Sequence, residues 1–249
     1  MEESAYIGGV IVCLGYLVAG ARLGLLSMRT GEAPEQLLAV TFGLWGLAYV
    51  CSQIPLAFEN ESLFVPLYTA GRLFTDAGTV ASALFLRLVF RPGSRVATGL
   101  VVGIAAGLAL GIAGSGWMGD WASIDPLRNP WWWLEWSAIV VSVSWIGVEG
   151  FHHYGMSIRR RRLGLCSSLD CNRYLLWGLA GAVWTIYELV YPVQQIEFRV
   201  TGVYSASLDA IASALEIFPI AFIWLIFLPP AVYQRWVARL DRQPPVAEG

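Results

Sequence analysis

The chain has 249 residues, of which 57% are hydrophobic and only 14% are charged, and its mean hydropathy is +0.59. This composition excludes a chain whose surface faces only water, and it predicts a protein that lies mostly within a lipid bilayer. All sixteen basic residues are arginine and the net charge is −2, and no nucleic-acid partner is expected.

Apolar windows bounded by proline, glycine and charged residues predict an all-α bundle of seven membrane-spanning helices. The chain begins with acidic residues, unlike a secretory signal, so the first apolar run is taken as a helix of the bundle. Pro66 and Pro130 suit a first helical turn, and Pro229 with Pro230 should end the last span. The predicted spans are 6–27, 37–57, 65–89, 96–114, 131–151, 174–193 and 205–228.

The distribution of arginine predicts an N-terminus outside the cytoplasm and a C-terminus inside it. Thirteen arginines lie in or beside the loops after the first, third and fifth spans and in the tail, whereas Arg128 and Arg199 lie on the opposite side. Cytoplasmic loops of membrane proteins carry this excess of positive charge. A run from Arg159 to Arg162 is the strongest part of the signal, and contact with anionic lipid or a partner is an additional reading.

The chain divides into a membrane domain, residues 1–230, and a cytoplasmic segment, residues 231–249. In the second segment apolar residues recur at i, i+3, i+4 and i+7, a pattern typical of an amphipathic helix on a membrane surface. A short tail follows it. The residues of the apolar face are Tyr233, Trp236, Val237 and Leu240.

Six tryptophans cluster around the outer end of the fifth predicted span. Indole rings prefer the headgroup layer, so an interfacial belt is expected, with an aromatic ligand-binding patch as the alternative. The six are Trp117, Trp121, Trp131, Trp132, Trp133 and Trp136.

The fourth predicted span has a glycine at every fourth position, which exposes backbone along one face. Such a face allows another helix to approach closely. Packing within the bundle is the first interpretation and a homodimer interface is the second. The glycines are Gly99, Gly103, Gly107 and Gly111.

Short segments recur in the same order with offsets of 136 to 140 residues. This favours two parallel three-helix repeats joined by the fourth span, an arrangement that can create a central site between the halves. Chance similarity between apolar segments is the alternative. The pairs include Arg22-Leu23-Gly24-Leu25 with Arg162-Leu163-Gly164-Leu165, Pro55 with Pro192, and Tyr68-Thr69-Ala70 with Tyr204-Ser205-Ala206.

Ionisable side chains at membrane depth are the candidates for function, because burying one costs at least a few kcal/mol. Arg72 is predicted near the bilayer centre with Asp76 one turn later on the same face, and Glu216 is near the middle of the last span. We expect these three to build a polar site between the halves. The candidate ligand- or proton-binding residues are Arg72, Asp76, Glu216, Asp209, Glu149 and Tyr68.

A purely structural interpretation of the same residues remains open. The central three would then form a buried ion cluster that fixes helix packing, while Glu135, Glu188 and Asp209 would reach the headgroup layer. Glu135 and Glu149 also belong to a polar stripe with seven-residue spacing on the fifth span.

No cofactor, metal site or catalytic activity is expected. His152 and His153 with Cys166 and Cys171 match no compact zinc pattern, and adjacent histidines are unsuited to bind one haem. No nucleophile motif of a hydrolase is evident. The four cysteines are too scattered for a disulfide framework and should be free thiols.

The topology resembles that of two known groups of seven-helix proteins. Microbial rhodopsins attach retinal to a lysine, which this chain lacks, and the proline-glutamine signature of SWEET sugar transporters is interrupted at Pro192-Val193-Gln194. Segments of the C-terminal half resemble uncharacterised bacterial seven-helix membrane proteins, which implies a bacterial inner membrane without an activity. They are Trp133-Leu134-Glu135-Trp136, Arg160-Arg161-Arg162-Leu163-Gly164-Leu165, Asn172-Arg173-Tyr174-Leu175-Leu176-Trp177-Gly178 and Pro229-Pro230-Ala231-Val232-Tyr233-Gln234-Arg235-Trp236.

The sequence therefore favours a membrane protein that binds or transports a small solute or a proton through a polar site. One alternative is a sensor that signals to a cytoplasmic partner through the arginine-rich loop and the surface helix. The other is an assembly subunit without a ligand.

Overall fold

A computed structural model describes the backbone of residues 2–57, 61–122, 126–203 and 205–239, and side chains over most of 9–239 in those ranges. Every regular element in these ranges is a helix. The helices are α1 (Glu2–Thr30), α2 (Ala33–Ala57), α3 (Glu61–Phe90), α4 (Arg95–Trp117), α5 (Pro130–Arg162), α6 (Ser168–Thr201), α7 (Ala206–Phe227) and α8 (Ala231–Arg239).

Local sequence explains where several helices begin and end. The side chain of Asn129 accepts a hydrogen bond from the Trp131 amide, and Pro130 occupies the first turn of α5 as predicted. Gly202 ends α6 with φ of 74°, a conformation that glycine adopts without steric cost. Pro66 lies in the second turn of α3, because that helix begins earlier than the sequence predicted. The two prolines after α7 separate it from α8, as expected.

Six helices in the described part of the chain are long and apolar enough to cross a membrane. The chain is therefore a multi-pass helical membrane protein. The helix α6, with 34 residues, is the longest described helix and is not among these six. The six spans are Gly9–Thr30, Ala33–Pro55, Ser62–Phe90, Arg95–Trp117, Pro130–Arg162 and Ala210–Phe227.

Six of the helices form a closed ring. Within it α2 packs between α1 and α3, and α6 packs between α5 and α7. Contacts between α3 and α5 and between α1 and α7 close the ring. The helix α4 packs against α5 and α3, and α8 packs against α6. We call the two ends of the ring the α4–α5 end and the α5–α6 end, after the loops found there.

Aromatic side chains fill the interior at mid-height. Trp45 of α2 and Trp184 of α6 meet with ring centroids 5.3 Å apart, and the Trp184 indole N–H donates a hydrogen bond of 3.1 Å to the Tyr16 hydroxyl. Towards the α5–α6 end, the Trp177 ring lies 5.7 Å from that of Phe85 and 6.0 Å from that of Phe227. This half of the ring is therefore filled by packed side chains.

The helices α5 and α6 approach each other through glycine. A Cβ atom added at Gly181 would overlap the backbone of Gly147, and one at Gly150 would overlap the backbone of Gly178. Small residues allow such close contact between helices in a membrane, where packing rather than water exclusion drives association.

The predicted glycine face of α4 is divided in two. Gly107 and Gly111 pack against α5, where added Cβ atoms would lie 3.1 Å from the Ala138 Cβ and 2.6 Å from the Glu135 Cβ. Gly99 and Gly103 are exposed, with nothing within 4 Å of an added Cβ. Half of the face thus packs within the bundle, and a homodimer contact through the other half stays a prediction.

The helix α8 packs back onto the bundle. Val237 is fully buried, and the Asn172 side-chain amide donates a hydrogen bond to the Tyr233 hydroxyl. Trp236 is 57% exposed, and Leu240 of the predicted apolar face lies outside the described residues.

Candidate functional site

A cavity of about 750 Å³ lies inside the ring, in the half nearest the α4–α5 end. All six helices of the ring line it, and the described part of α4 contributes no lining residue. Its volume is in the range of small-molecule sites. The polar and charged lining residues include Tyr49, Ser52, Gln53, Tyr68, Arg72, Thr75, Glu135, Tyr187, Glu188, Gln194, Arg199, Ser213 and Glu216.

The main ion pair in the cavity wall joins Arg72 of α3 to Glu135 of α5. The Arg72 Nε lies 3.0 Å from one carboxylate oxygen of Glu135, and a terminal guanidinium nitrogen contacts the other. Arg72 also donates to the backbone oxygen of Trp121 and, at 3.4 Å, to the Ser115 hydroxyl. The two charged side chains are only 11% and 9% exposed. This is a buried, two-point pair whose guanidinium has several acceptors.

The expected pairing of Arg72 with Asp76 is not the pairing found. The guanidinium extends towards Trp121 at the α4–α5 end, whereas Asp76 lies one turn further into α3. Asp76 is 7% exposed, and neither of its carboxylate oxygens accepts a hydrogen bond from any described group. It is absent from the cavity lining. Long basic side chains extend towards the nearer aqueous end, which explains why Arg72 turns away.

Glu216 lines the cavity from α7. It accepts a 2.6 Å hydrogen bond from the Tyr49 hydroxyl of α2. Glu188 of α6 lines the same cavity, although the structural interpretation of the sequence placed it in the headgroup layer. The structure therefore places Arg72 and Glu216 in the wall of one cavity, together with the carboxylates of Glu135 and Glu188, which the sequence did not assign to it.

The remaining candidates have different positions. Tyr68 lines the cavity and stacks on Phe64 with ring centroids 4.9 Å apart. The side chain of Asp209 lies outside the described residues. Glu149 lies about four turns beyond Glu135 along α5 and takes no part in the cavity lining.

Glu149 anchors a second polar cluster, near the α5–α6 end. One carboxylate oxygen accepts hydrogen bonds from the Arg91 Nε at 2.7 Å and the Trp145 indole N–H at 3.0 Å. The Nε2 of His153 lies 3.9 Å from the other oxygen. The hydrogen bond to Glu149 raises the pKa of Arg91, which follows the end of α3. This cluster joins the segment after α3 to α5.

The tryptophans near the start of α5 have two roles. Trp117 is 93% exposed, as expected of a residue that faces lipid or headgroups. Trp132 and Trp136 instead line the cavity, where Trp132 stacks on Tyr191 at 6.1 Å. The Trp136 indole N–H donates a 2.8 Å hydrogen bond to the backbone oxygen of Glu188. Trp132 and Trp136 therefore face the cavity, and ligand binding by an aromatic patch stays a prediction.

The described residues contain no group of three or more histidine, cysteine or acidic side chains placed to hold a metal ion. Cys166 and Cys171 lie with sulfur atoms 3.8 Å apart, and all four cysteines are free.

Comparison with known proteins gives no relative from which a role could be carried over: no family model, no curated protein and no solved structure matches this chain.

Proposed function

We propose that this chain is a seven-span inner-membrane protein that binds a small solute in the cavity and carries it across the bilayer. The cavity between the two groups of three helices is the observation that carries the proposal. Sites between the repeats of a membrane bundle are the usual position for a transported solute.

The seventh span in this proposal is α6, through residues 174–193. The helix packs between two apolar spans, α5 and α7, along a contact that includes Gly147 and Gly181. A chain that leaves α5 at one end of the ring needs such a helix to reach the start of α7 at the other. The tyrosine and tryptophan residues of α6 and Glu188 line the cavity, which explains why a spanning helix carries these polar side chains. With seven crossings the termini lie on opposite sides, and the arginine distribution puts the α5–α6 end in the cytoplasm.

The contacts between helices support a parallel 3+1+3 repeat. If α1 to α3 correspond to α5 to α7, the contact of α3 with α5 corresponds to that of α7 with α1, and both are present. The helix α4 then serves as the connector on the outside of the ring. The two halves would move against each other at these two contacts.

The two contacts differ in chemistry. Two ion pairs hold α3 and the residue after it to α5: Arg72 with Glu135, and Arg91 with Glu149. Between α1 and α7 a small residue, Gly15, packs against Ile220. The cavity occupies the outer half of the ring and the inner half is packed, so this is an outward-facing arrangement. Opening to the cytoplasm would require relative motion at the α1–α7 contact.

Cysteine accessibility provides the first test of this proposal. In a chain without its native cysteines, Thr75→Cys and Ser213→Cys should react with a membrane-impermeant thiol reagent added outside. Ser82→Cys, buried on α3 beyond the cavity, is the matched control. Equal protection of all three positions would mean that the cavity is dry and would overturn the proposal.

Transport itself is tested in proteoliposomes. A Cβ built at Gly15 lies 3.7 Å from the Ile220 Cβ, a separation that suits a disulfide. The double variant Gly15→Cys, Ile220→Cys should therefore cross-link when oxidised, and counterflow of solutes or proton movement should stop and return on reduction. Unchanged flux in the cross-linked protein would refute motion at this contact.

One contact favours a sensor as the second candidate. The helix α6 lines the cavity through Glu188 and also holds α8 through the Asn172 side chain and Tyr233. A ligand that shifts α6 would move α8 beside the arginine-rich end of α5. A soluble signalling protein that co-purifies with the wild type but not with Asn172→Ala would favour this candidate over transport.

A further inference from the structure

We infer that the solute is an organic cation, held by the carboxylate of Glu188 and by the aromatic walls of the cavity. This inference rests on the proposed function, because it assigns a ligand class to the same cavity. Three features support it: the balance of charge, the position of Glu188 and the arrangement of the rings.

The charged residues that line the cavity are two arginines and three glutamates. Arg72 is neutralised by Glu135 through two contacts. Arg199 is exposed near the end of α6, with its guanidinium carbon 5.8 Å from the centre of the Phe198 ring. The other charged lining residues are Glu188 and Glu216, both carboxylates. They lie well inside α6 and α7, about 20 Å and 15 Å from the ends of these helices at 1.5 Å per residue.

Glu188 is the carboxylate that a ligand would meet. Its side chain makes no hydrogen bond or ion pair with the described residues, yet it lines the cavity. A carboxylate away from bulk water is stabilised by a positively charged partner. Asp76 also lacks hydrogen-bond partners, but it lies outside the cavity wall and is closed to a ligand. Because Glu188 lines the cavity and Asp76 does not, Glu188 is the acid that a ligand in the cavity could contact.

Aromatic residues line the cavity together with Glu188. Trp184, Glu188 and Tyr191 recur at i, i+4 and i+7 on one face of α6, and all three line the cavity. Trp136 also lines the cavity, and its indole N–H donates a hydrogen bond to the backbone oxygen of Glu188. The Tyr187 and Tyr191 rings lie 6.1 Å apart. Ring faces attract ammonium groups and also accept the apolar part of a ligand, so rings with a carboxylate recognise a charged nitrogen on an organic body.

A comparison of a cation with its uncharged isostere tests the inference on the wild-type protein. The probes are choline, tetraethylammonium and benzyltrimethylammonium, with 3,3-dimethylbutan-1-ol as the carbon isostere of choline. Binding is measured in detergent at fixed ionic strength by quenching of tryptophan fluorescence, since four tryptophans line the cavity. We expect at least one cation to bind, and choline to bind at least about tenfold more tightly than the alcohol.

Variants locate the site. Glu188→Gln should raise the Kd of the cation about tenfold or more while leaving the melting temperature close to that of the wild type, because the amide keeps the shape of the side chain. Glu32→Gln, at an exposed position before α2, is the matched control and should leave the Kd unchanged. A Kd that is the same in Glu188→Gln and in the wild type would overturn the assignment.

The remaining outcomes separate this inference from the proposed function. If the alcohol binds as tightly as choline, or if no cation binds while Thr75→Cys and Ser213→Cys remain reactive, the cavity is a solute site but the cation class is wrong. If no probe binds and neither cysteine reacts, the proposed function fails together with the inference.

Discussion

The substitution Glu135→Gln is the sharpest test of the polar centre, because it leaves a buried guanidinium without its anion. Arginine keeps its positive charge at any accessible pH, whereas a carboxyl group can take up a proton and become neutral. The side chains of Arg72 and Glu135 are 11% and 9% exposed, so solvent screening is weak. The two substitutions that break this pair should therefore have unequal effects.

The expected loss of stability in Glu135→Gln depends on which hydrogen-bond acceptors remain for the Arg72 guanidinium. Removal of one member of a buried pair costs about 3 to 5 kcal/mol. In Glu135→Gln the guanidinium keeps the Trp121 carbonyl and the Ser115 hydroxyl, so we expect the lower value, about 3 kcal/mol. For a chain of this length that loss corresponds to a fall in melting temperature of about 6 to 12 °C. Arg72→Met should cost less, because a carboxyl group left without a cation can take up a proton, whereas a guanidinium cannot lose one.

The assay is thermal unfolding of detergent-solubilised protein, measured beside the yield of folded protein. The double variant Arg72→Met, Glu135→Gln removes both charges and should recover most of the stability lost in Glu135→Gln alone. Glu32→Gln serves as the control for a change in net charge. The reasoning is refuted if Glu135→Gln has the same melting temperature as the wild type, or if the double variant is no more stable than Glu135→Gln.

Three other predictions concern packing, orientation and thiol chemistry. Gly181→Ala should abolish or greatly reduce the yield of folded protein, because its Cβ would overlap the Gly147 backbone. Gly155→Ala, at an exposed position of α5, should be neutral or stabilising by up to about 1 kcal/mol. The yield of folded protein in size-exclusion chromatography tests both variants. A C-terminal fluorescent-protein fusion should be bright and a C-terminal alkaline phosphatase fusion inactive, and the reverse result would invert the orientation. Burial, followed by the neighbouring Cys166, raises the pKa of Cys171 to about 11 in the first turn of α6 before its spanning part. Maleimide at pH 8 should thus label Cys166 before Cys171, as mass spectrometry of peptides would show; equal rates would contradict the buried position.

The positions of the helices could be predicted from the sequence, because each helix has its own stretch of apolar residues and its own signals for where a helix begins and ends. Pro130 and the prolines after α7 define helix ends that the structure confirms. The helices α5 and α6 extend beyond the predicted spans: the span in α5 ends at residue 151, whereas the helix continues through the arginine run to Arg162. Hydropathy marks where a helix leaves the apolar layer, and backbone hydrogen bonds continue beyond it.

The composition of the site was only partly predictable. Arg72, Glu216 and Tyr68 were recognised as polar groups in apolar helices and do line the cavity. The partner of Arg72 was not recognised, because a choice among acids on different helices depends on how those helices rotate and slide. Glu135 lay in a visible polar stripe of α5, and this stripe was the available signal. Spacing along α3 favoured Asp76 as the partner of Arg72, because the two are one turn apart. The arginine side chain instead extends towards Trp121, away from Asp76.

The polar contacts of α3 and α5 explain why this pair has ion pairs at both ends. Helices in a membrane gain little from apolar burial against each other, so apolar surfaces alone leave their sliding and rotation weakly determined. The two acids, Glu135 and Glu149, are about 21 Å apart along α5, and each meets an arginine from α3 or from the residue after it. A slip of one turn along α3 would have to break both pairs at once. Of these two ion pairs, Arg72 with Glu135 lies in the cavity wall, and both pairs together set the register of the helices α3 and α5.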